Sequence, residues 1–512
     1  MDISTGVYIL VTLGTLLYLY IRYKYSYWKN RNVIYVEPPS FFSNYAKNRP
    51  HPLVSLDKLY HEAKRLGQKY AGNYLFLNPQ FIPVDLELLK CILHKDFAYF
   101  PNHGSYINEE IDPLTGHLFN LEDEKWRKLR AKLTPTFTSG KMKMMFETMI
   151  ECTGGLQELL KKSYSPDNPV DVKDILQCFT TDVIGSVAFG LEINSMQNPE
   201  SEFRLYGTKI FKPTLRAIIF FSVLSILPKW LTDALKIKLF EKKTDEFFIN
   251  LVKNTVDYRE QNNIYRKDFM HLLIQLKNIG KITDDDDDAR LTHKTNSAVQ
   301  GLTLNEMAAQ VFVFFIAGFE TSATTMTFAL LELAQRKDIQ DKVRDEINRV
   351  LDKHDNKVSY DSLMEMEYLE NVILETLRKH PPVAILPRVC TKEYRVPDSD
   401  LVVEAGTRVI IPVYSIHRDP EYYPDPENFD PERFSEKNNA KRNQFAFLPF
   451  GEGPRTCIGL RFGKLQSKVG LCCVLRNYRV TLNEKTQLPI TYEPGFISAV
   501  KGGVWLNLEP IS

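Results

Sequence analysis

The 512-residue sequence is short of cysteine. The seven are Cys91, Cys152, Cys178, Cys390, Cys457, Cys472 and Cys473, and no two form a C-x-x-C pair. That excludes a disulfide scaffold, argues against a structural zinc site and fits a reducing compartment. No N-x-[ST] acceptor occurs, in keeping with a body outside the secretory lumen. Charge of one sign is also missing: Lys plus Arg total 65, Asp plus Glu 64, for a net of +1. A nucleic-acid binder carries a basic surplus, so no nucleic-acid partner is expected. No G-x-G-x-x-G follows a strand pattern, so no Rossmann nucleotide site is expected. The segment 459–464 resembles a phosphate loop but is one residue short, with Leu465 where Ser or Thr belongs. Internal repeats and Gly/Ser linkers are absent too, which argues against a string of small domains.

Apolar material is plentiful, at 44% hydrophobic and 12% aromatic residues. Residues 3–21 form a run without a charged side chain. About 20 apolar residues span a bilayer core, so the run suffices for one transmembrane helix. Tyr18, Tyr20, Tyr23, Tyr25, Tyr27 and Trp28 crowd its far end as an interfacial belt would. Arg22, Lys24, Lys29 and Arg31 follow, while only Asp2 precedes, so the positive-inside rule puts the C-terminal bulk in the cytoplasm. A cleaved signal peptide needs the opposite charge order and a small-residue site. The expected organisation is an anchor over 1–28, a hinge over 29–50 and one catalytic domain over 51–512. A second apolar stretch, 217–227, is too short to span and reads equally as a buried helix or a patch dipping into the bilayer surface.

The body is mainly helical in pattern, with a few strands. Thr303 and Glu306 form a capping box for a long apolar helix over about 304–335. Gly318 and the hydroxyls of Thr321, Ser322, Thr324 and Thr325 predict a local distortion in it. Another helix covers 368–379. A hairpin over 73–84 is expected to turn at Asn78-Pro79, two strands lie within 392–413, and a last strand covers 500–508. The acidic run 284–288 is a solvated loop.

The most specific segment is PFGEGPRTCIGLRFG, residues 449–463. Gly451, Gly453 and Gly459 would let backbone approach a flat ligand. Cys457 precedes a helical pattern, and a cysteine at a helix N-terminus has a depressed pKa. Such a thiolate is a nucleophile or a metal ligand; a buried inert cysteine is the alternative.

The pattern F-x-x-G-x-R-x-C-x-G, at Phe450, Gly453, Arg455, Cys457 and Gly459, is similar to the haem-binding loop of cytochromes P450. Four other segments agree in order: Trp126 with Arg130, Ala317 to Thr321, Glu375 with Arg378, and the Pro-Glu-Arg-Phe that contains Arg433. QVFVFFIAGFETS and YYPDPENFDPERF resemble the insect microsomal branch linked to xenobiotic oxidation. One departure is the hinge, where Glu37-Pro38-Pro39 stands in place of a proline-glycine-rich segment.

The resemblance implies a mainly α P450 fold with small β-sheets, and haem b between the long helix and the Cys-loop helix. Cys457 is then the axial thiolate, which favours O–O cleavage. Arg455, Arg130 and Arg388 would pair with haem propionates, with help from the indole of Trp126; Ala317 and Phe450 would flank the haem. Glu375, Arg378 and Arg433 read as a buried structural network rather than an acid–base pair. Glu320 and Thr321 are the catalytic candidates, a carboxylate and a hydroxyl that deliver the protons O₂ reduction needs. Val313, Ile316, Val383, Leu386, Phe496 and Ile497 would line the pocket under a loop over 101–119.

A chain without a flavin or nucleotide domain needs outside electrons. The resemblance points to NADPH through a cytochrome P450 reductase, with cytochrome b5 as a second donor. Arg461, Lys464 and Lys468 recur at i, i+3 and i+7, and with Lys128 would make a basic stripe for an acidic reductase. Lys132, Lys441 and Arg442 could extend it. The expected protein is a monooxygenase of lipophilic small molecules on the endoplasmic reticulum membrane, in contact with its lipid. Rivals are a hydroperoxide isomerase or dehydratase, which tends to lose the acid–alcohol pair, and a non-catalytic haem carrier.

Overall fold

A computed structural model describes residues 3–37, 52–165, 168–211, 216, 219–220, 223, 229–236, 238–282, 301–493 and 495–511. The helices that position the site are labelled in chain order as α1 (Ile3–Tyr25), α2 (Asp123–Leu133), α3 (Val172–Ile184), α4 (Glu202–Phe211), α5 (Lys242–Gln261), α6 (Leu304–Ala334), α7 (Glu367–Lys379) and α8 (Leu460–Asn477). The strands are β1 (Tyr70–Leu75), β2 (Asn78–Pro83), β3 (Val170–Asp171), β4 (Leu386–Val389), β5 (Tyr394–Arg395), β6 (Val402–Val403), β7 (Arg408–Ile411), β8 (Tyr478–Leu482) and β9 (Trp505–Pro510). They form small sheets in the orders β1-β2-β7-β4, β3-β9-β8 and β5-β6.

Helix α6 is the spine. Its capping box forms: the Thr303 hydroxyl accepts from the Glu306 amide at 3.2 Å, and the Thr303 amide donates to the Glu306 carboxylate at 2.7 Å. Phe312, Phe315, Phe319, Met326 and Leu330 are fully buried on it. At about 1.5–3 kcal/mol per buried side chain, burial rather than helix propensity holds it in place. α6 packs against α3, α5 and α8, so early, middle and late segments share one core. The expected distortion is not seen, because the hydroxyls follow the helix instead of breaking it. Thr321 donates back to the Ala317 carbonyl at 2.5 Å and Thr325 to Thr321 at 2.8 Å. Gly318 serves close packing instead: a methyl there would lie 2.6 Å from Ile184 of α3.

The first hairpin turns at Phe76 and Leu77, not at Asn78-Pro79. Leu75 pairs with Asn78, and Phe76 takes the left-handed conformation at φ 53°. Pro79 sits near the start of β2, where strand proline is tolerated. The strands within 392–413 are three, β5, β6 and β7, and the last strand begins at Trp505 rather than 500. β4 is too short to show an alternation of its own, whereas β8 alternates apolar and polar residues from Tyr478 to Leu482. The run 284–288 lies outside the described residues, as does most of 217–227, of which only Ile219, Phe220 and Val223 are described.

α1 and α6 are each long and apolar enough to cross a bilayer, but α6 is largely buried and α1 is not. The end of the expected belt belongs to the body. Trp28 is buried and its indole donates to the Asn73 carbonyl at 2.9 Å. A methyl on Gly72 would lie 2.5 Å from that ring, so only glycine admits it. Tyr25 meets Tyr74 edge-on at 5.3 Å, and the Arg31 guanidinium stacks over Tyr27 at 3.8 Å. Val33 is buried and Tyr35 bridges to Gly72, so the expected hinge does not begin at 29.

Candidate active site

The cysteine loop is held by its own backbone. The Cys457 amide donates to the Phe450 carbonyl at 2.8 Å, and the Thr456 amide to Gly453 at 2.9 Å. Gly453 has φ 78°, and a methyl on it would lie 2.1 Å from the Leu93 carbonyl oxygen. Its role is approach to protein backbone, not to a flat ligand. Gly459 caps α8 with open space beside it.

Cys457 lies deep among protein atoms, yet it keeps accessible surface. It therefore faces an internal slot. Burial pushes its thiol up, and the Gly459 amide and Arg130 only partly oppose that. The depressed pKa expected from the helix N-terminus is not found, because α8 starts only at Leu460 and the slot is poorly solvated. Metal coordination would deprotonate the thiol outright.

α6 forms the facing wall. Val313, Ile316 and Thr321 are half-buried and Ala317 is exposed, although nearly every neighbour on the helix is buried. α8 crosses α6 close by: a methyl on Gly463 would lie 3.9 Å from the Ser322 hydroxyl. Cys457 and the Ala317–Thr321 strip thus border the same interior space. Glu320 turns the other way. Its carboxylate pairs with Lys173 at 2.7 Å and accepts from Gln177 at 2.7 Å, both on α3. The carboxylate and the Thr321 hydroxyl engage different partners.

A group of guanidiniums gathers near Cys457. Arg388 on β4 is buried; its Nη1 donates to the Pro387 carbonyl at 2.8 Å and its Nε has no partner among the described residues. Burial pulls its pKa down to about 10. Arg455 is drawn to about 9 by burial and then by Arg388. Its Nε donates to the Pro101 carbonyl and its Nη2 to the Leu121 carbonyl, each at 2.8 Å, while Nη1 has only a long 3.4 Å contact to Leu118. Trp126 lies under it, ring centre to guanidinium 3.9 Å, and so orients Arg455. Burial also lowers Arg130, whose charge reaches Cys457. His103, which pattern reading missed, sits among them: burial, Arg388 and Arg455 hold its pKa well down.

Buried cations without a carboxylate are costly. The chain offers a thiol, an apolar strip across from it, and guanidiniums with spare donors nearby. That donor set fits an iron porphyrin: Cys457 would hold the metal, and Arg388, Arg130 and Arg455 Nη1 would take the propionates.

The expected network behind the loop forms around Glu375 and Arg378, although the Arg433 Nε has no hydrogen-bond partner among the described residues. Arg378 donates to both Glu375 oxygens at 2.7 Å, to the His417 carbonyl at 2.9 Å and to the Asn428 carbonyl at 3.3 Å. The Asp430 amide donates to Glu375 at 2.9 Å, and Arg433 stands 3.5 Å from it. His417, also missed, extends it: its Nε2 accepts the Leu448 amide at 2.8 Å, just ahead of the cysteine loop. A second cluster joins Glu332 to His380 at 2.6 Å and Lys379 at 3.0 Å.

These histidines predict acid sensitivity. Burial lowers His417 and His117 to about 3, and His380 to about 4 despite its carboxylate partner. Each folded-state value lies below the unfolded one, so its stabilising contribution is present above about pH 6.5 and lost as pH falls toward those values. The unfolded chain binds the extra protons. Thermal melting is expected to drop steadily from pH 7 to 5, with up to about 1.4 kcal/mol per pH unit per histidine. An unchanged midpoint would contradict the buried neutral assignment.

The basic stripe on α8 is not a surface. Lys468 is buried and donates to the Leu363 and Met366 carbonyls at 2.9 and 3.2 Å. Lys464 pairs with Glu370 at 2.5 Å, and Lys468 reaches the same carboxylate at 3.2 Å. They pin α8 to α7. Arg461 and Lys128 remain exposed; Arg442 instead stacks on Phe434 at 4.0 Å. Of the expected pocket residues, Val383 and Leu386 are half-buried, while Phe496 is exposed and meets Phe119 of the covering loop at 6.2 Å. Ile497 turns inward and is buried.

Comparison with known proteins agrees with this geometry. The family model described as Cytochrome P450 matches residues 51–506. Cytochrome P450 6A1 of Musca domestica is 42% identical over 516 residues, covering 99% of this chain and 98% of its own. Cytochrome P450 6a2 of Drosophila melanogaster is 40% identical over 514 residues, covering 99% of each. A cysteine facing an internal slot, arginines with spare donors near it, and full-length likeness to insect P450s of the 6A group lead to one assignment: the chain belongs to the cytochrome P450 family and is a monooxygenase that uses haem b and O₂.

Proposed function

We propose that this monooxygenase oxidises lipophilic small molecules, xenobiotics or endogenous lipids, at the endoplasmic reticulum membrane, with electrons from NADPH through a flavoprotein reductase. The observation that carries the substrate class is the apolar strip of Val313, Ile316 and Ala317 facing the Cys457 slot, with Phe119 and Phe496 meeting nearby. α1 supports the location, since its apolar side chains are exposed and basic residues follow it.

Bound haem supplies the iron at which O₂ is reduced. Cys457 would hold that iron. Thr321 stands on the α6 strip that borders the same slot. Its proton is given to the Ala317 carbonyl, so its oxygen offers lone pairs to the slot and can hold a water there. Glu320 faces Lys173 and Gln177 on α3 instead, so it would hold this turn of α6 rather than feed that water. Replacing Thr321 with alanine is expected to leave NADPH oxidation running while product per NADPH falls about tenfold or more and hydrogen peroxide rises. Unchanged coupling would remove Thr321 from proton delivery.

The reading is tested by a product screen of the reductase-reconstituted protein against diverse lipophiles. Oxygenated product that depends on NADPH supports it. Hydroperoxide rearrangement without NADPH would replace it with the isomerase class. Lys128 and Arg461 are the exposed cations we assign to the reductase, and to cytochrome b5 as a second acidic partner. Reversing both to glutamate is expected to slow reductase-supported turnover about threefold or more at low salt. Peroxide-driven turnover should be unchanged; equal loss in both assays would overturn the assignment.

A further inference from the structure

Two carboxyl groups away from the slot face each other. Asp112 is fully buried in the 101–119 loop; its Oδ2 accepts the amides of Leu239 at 2.6 Å and Phe240 at 3.2 Å. Asp245, in the first turn of α5, is 5% exposed and faces Lys238 at 3.5 Å through Oδ2. The Oδ1 atom of each has no partner among the described residues. The two carboxyls are within hydrogen-bonding reach of one another. Two buried carboxylates at that range repel each other, and a proton between them removes the repulsion.

We propose that Asp112 and Asp245 share one proton through their otherwise unpartnered oxygens, and that this shared proton latches the 101–119 loop onto the 238–245 segment at the head of α5. The loop carries Phe119, the ring that meets Phe496. Few charges oppose or replace the proton. Lys238 faces Asp245, and Arg216, which donates to the Lys238 and Phe240 carbonyls at 3.2 Å each, acts on Asp112. Glu241 is turned to Lys209 at 2.7 Å, and Glu109 on the same loop is taken by Lys125. α6 presents only the neutral Gln310, bonded to Gly116 and Leu118.

Burial and then the facing Asp112 push Asp245 up to about 6, and burial raises Asp112 as well. The closed loop therefore holds a proton that a released loop gives up. Its advantage is complete below the ordinary carboxyl range near pH 4 and is lost as pH rises through about 6. Above that, two charges repel across the latch.

Amide hydrogen exchange of residues 105–119 in the full-length, haem-loaded protein tests this, with rates corrected for intrinsic exchange. From pH 5.5 to 7.5 the wild-type loop is expected to lose about fivefold or more of its protection. Asp245→Asn supplies an amide that donates to Asp112 at every pH, and Asp112→Asn does the converse. Either variant should erase the pH dependence while keeping the protected level. Equal wild-type protection at both pH values, or an undiminished pH response in both asparagine variants, would overturn the latch.

Discussion

Replacing Arg378 with alanine is expected to leave the protein unable to accumulate in a folded, haem-loaded form. The substitution strands Glu375, which is fully buried, together with the His417 and Asn428 carbonyls that Arg378 now satisfies. Removing one partner of a buried pair costs about 3–5 kcal/mol, against a total stability of about 5–15 kcal/mol for a typical domain. The damage is not confined to α7, because Glu375 also fixes Asp430 and His417 fixes Leu448. Those contacts set the approach of the chain to Cys457. Taking out both charges, Glu375→Leu with Arg378→Met, should recover part of the loss, since no unpaired charge remains. Soluble yield and thermal midpoint measure both. A double variant no better than the single one would show that the network acts through geometry rather than charge.

The second large effect is expected at Arg388 and has opposite signs in two states. Without haem, its guanidinium is a buried cation with an unpartnered Nε, held down to about 10 by burial alone. Arg388→Met keeps the volume and removes the charge. The haem-free protein should therefore become more stable, by roughly 1–3 kcal/mol. The haem-loaded protein should lose cofactor about 10²-fold faster or more, because a propionate forfeits a buried charge-assisted pair worth about 3 kcal/mol. Thermal melts of haem-free protein and transfer of haem to a scavenger protein read the two effects separately. A variant that destabilises both states would make Arg388 a structural residue rather than a cofactor ligand.

Readability from sequence followed the range of the interaction. The cysteine loop, the Glu375–Arg378 pair and the Thr303–Glu306 box are short-range patterns, and each forms as its spacing implies. The hairpin was legible but its turn was not: Asn78-Pro79 looks like a turn, yet strand pairing forces Phe76 into the left-handed conformation. The α8 lysines mislead for a related reason. A spacing of three and four places them on one helix face but cannot say what covers it, and here Glu370 and two helix-end carbonyls do. The tyrosine-rich belt ends in Trp28, whose place in the body depends on Gly72, far along the chain. Lys173, His103 and His417 carry no local signal at all, because their partners lie on segments brought near only by the fold. At Cys457 desolvation outweighs the field of the helix terminus, and sequence does not show desolvation.

Cys457, in the slot it shares with Thr321, is the residue we propose as ligand of the haem iron. The carbon monoxide difference spectrum of the reduced protein tests it most directly, recorded for wild type and for Cys457→His at matched haem content. Wild type should show the thiolate-type band, and the variant an imidazole-type band in its place. A thiolate-type band that survives the substitution would place the iron on another residue.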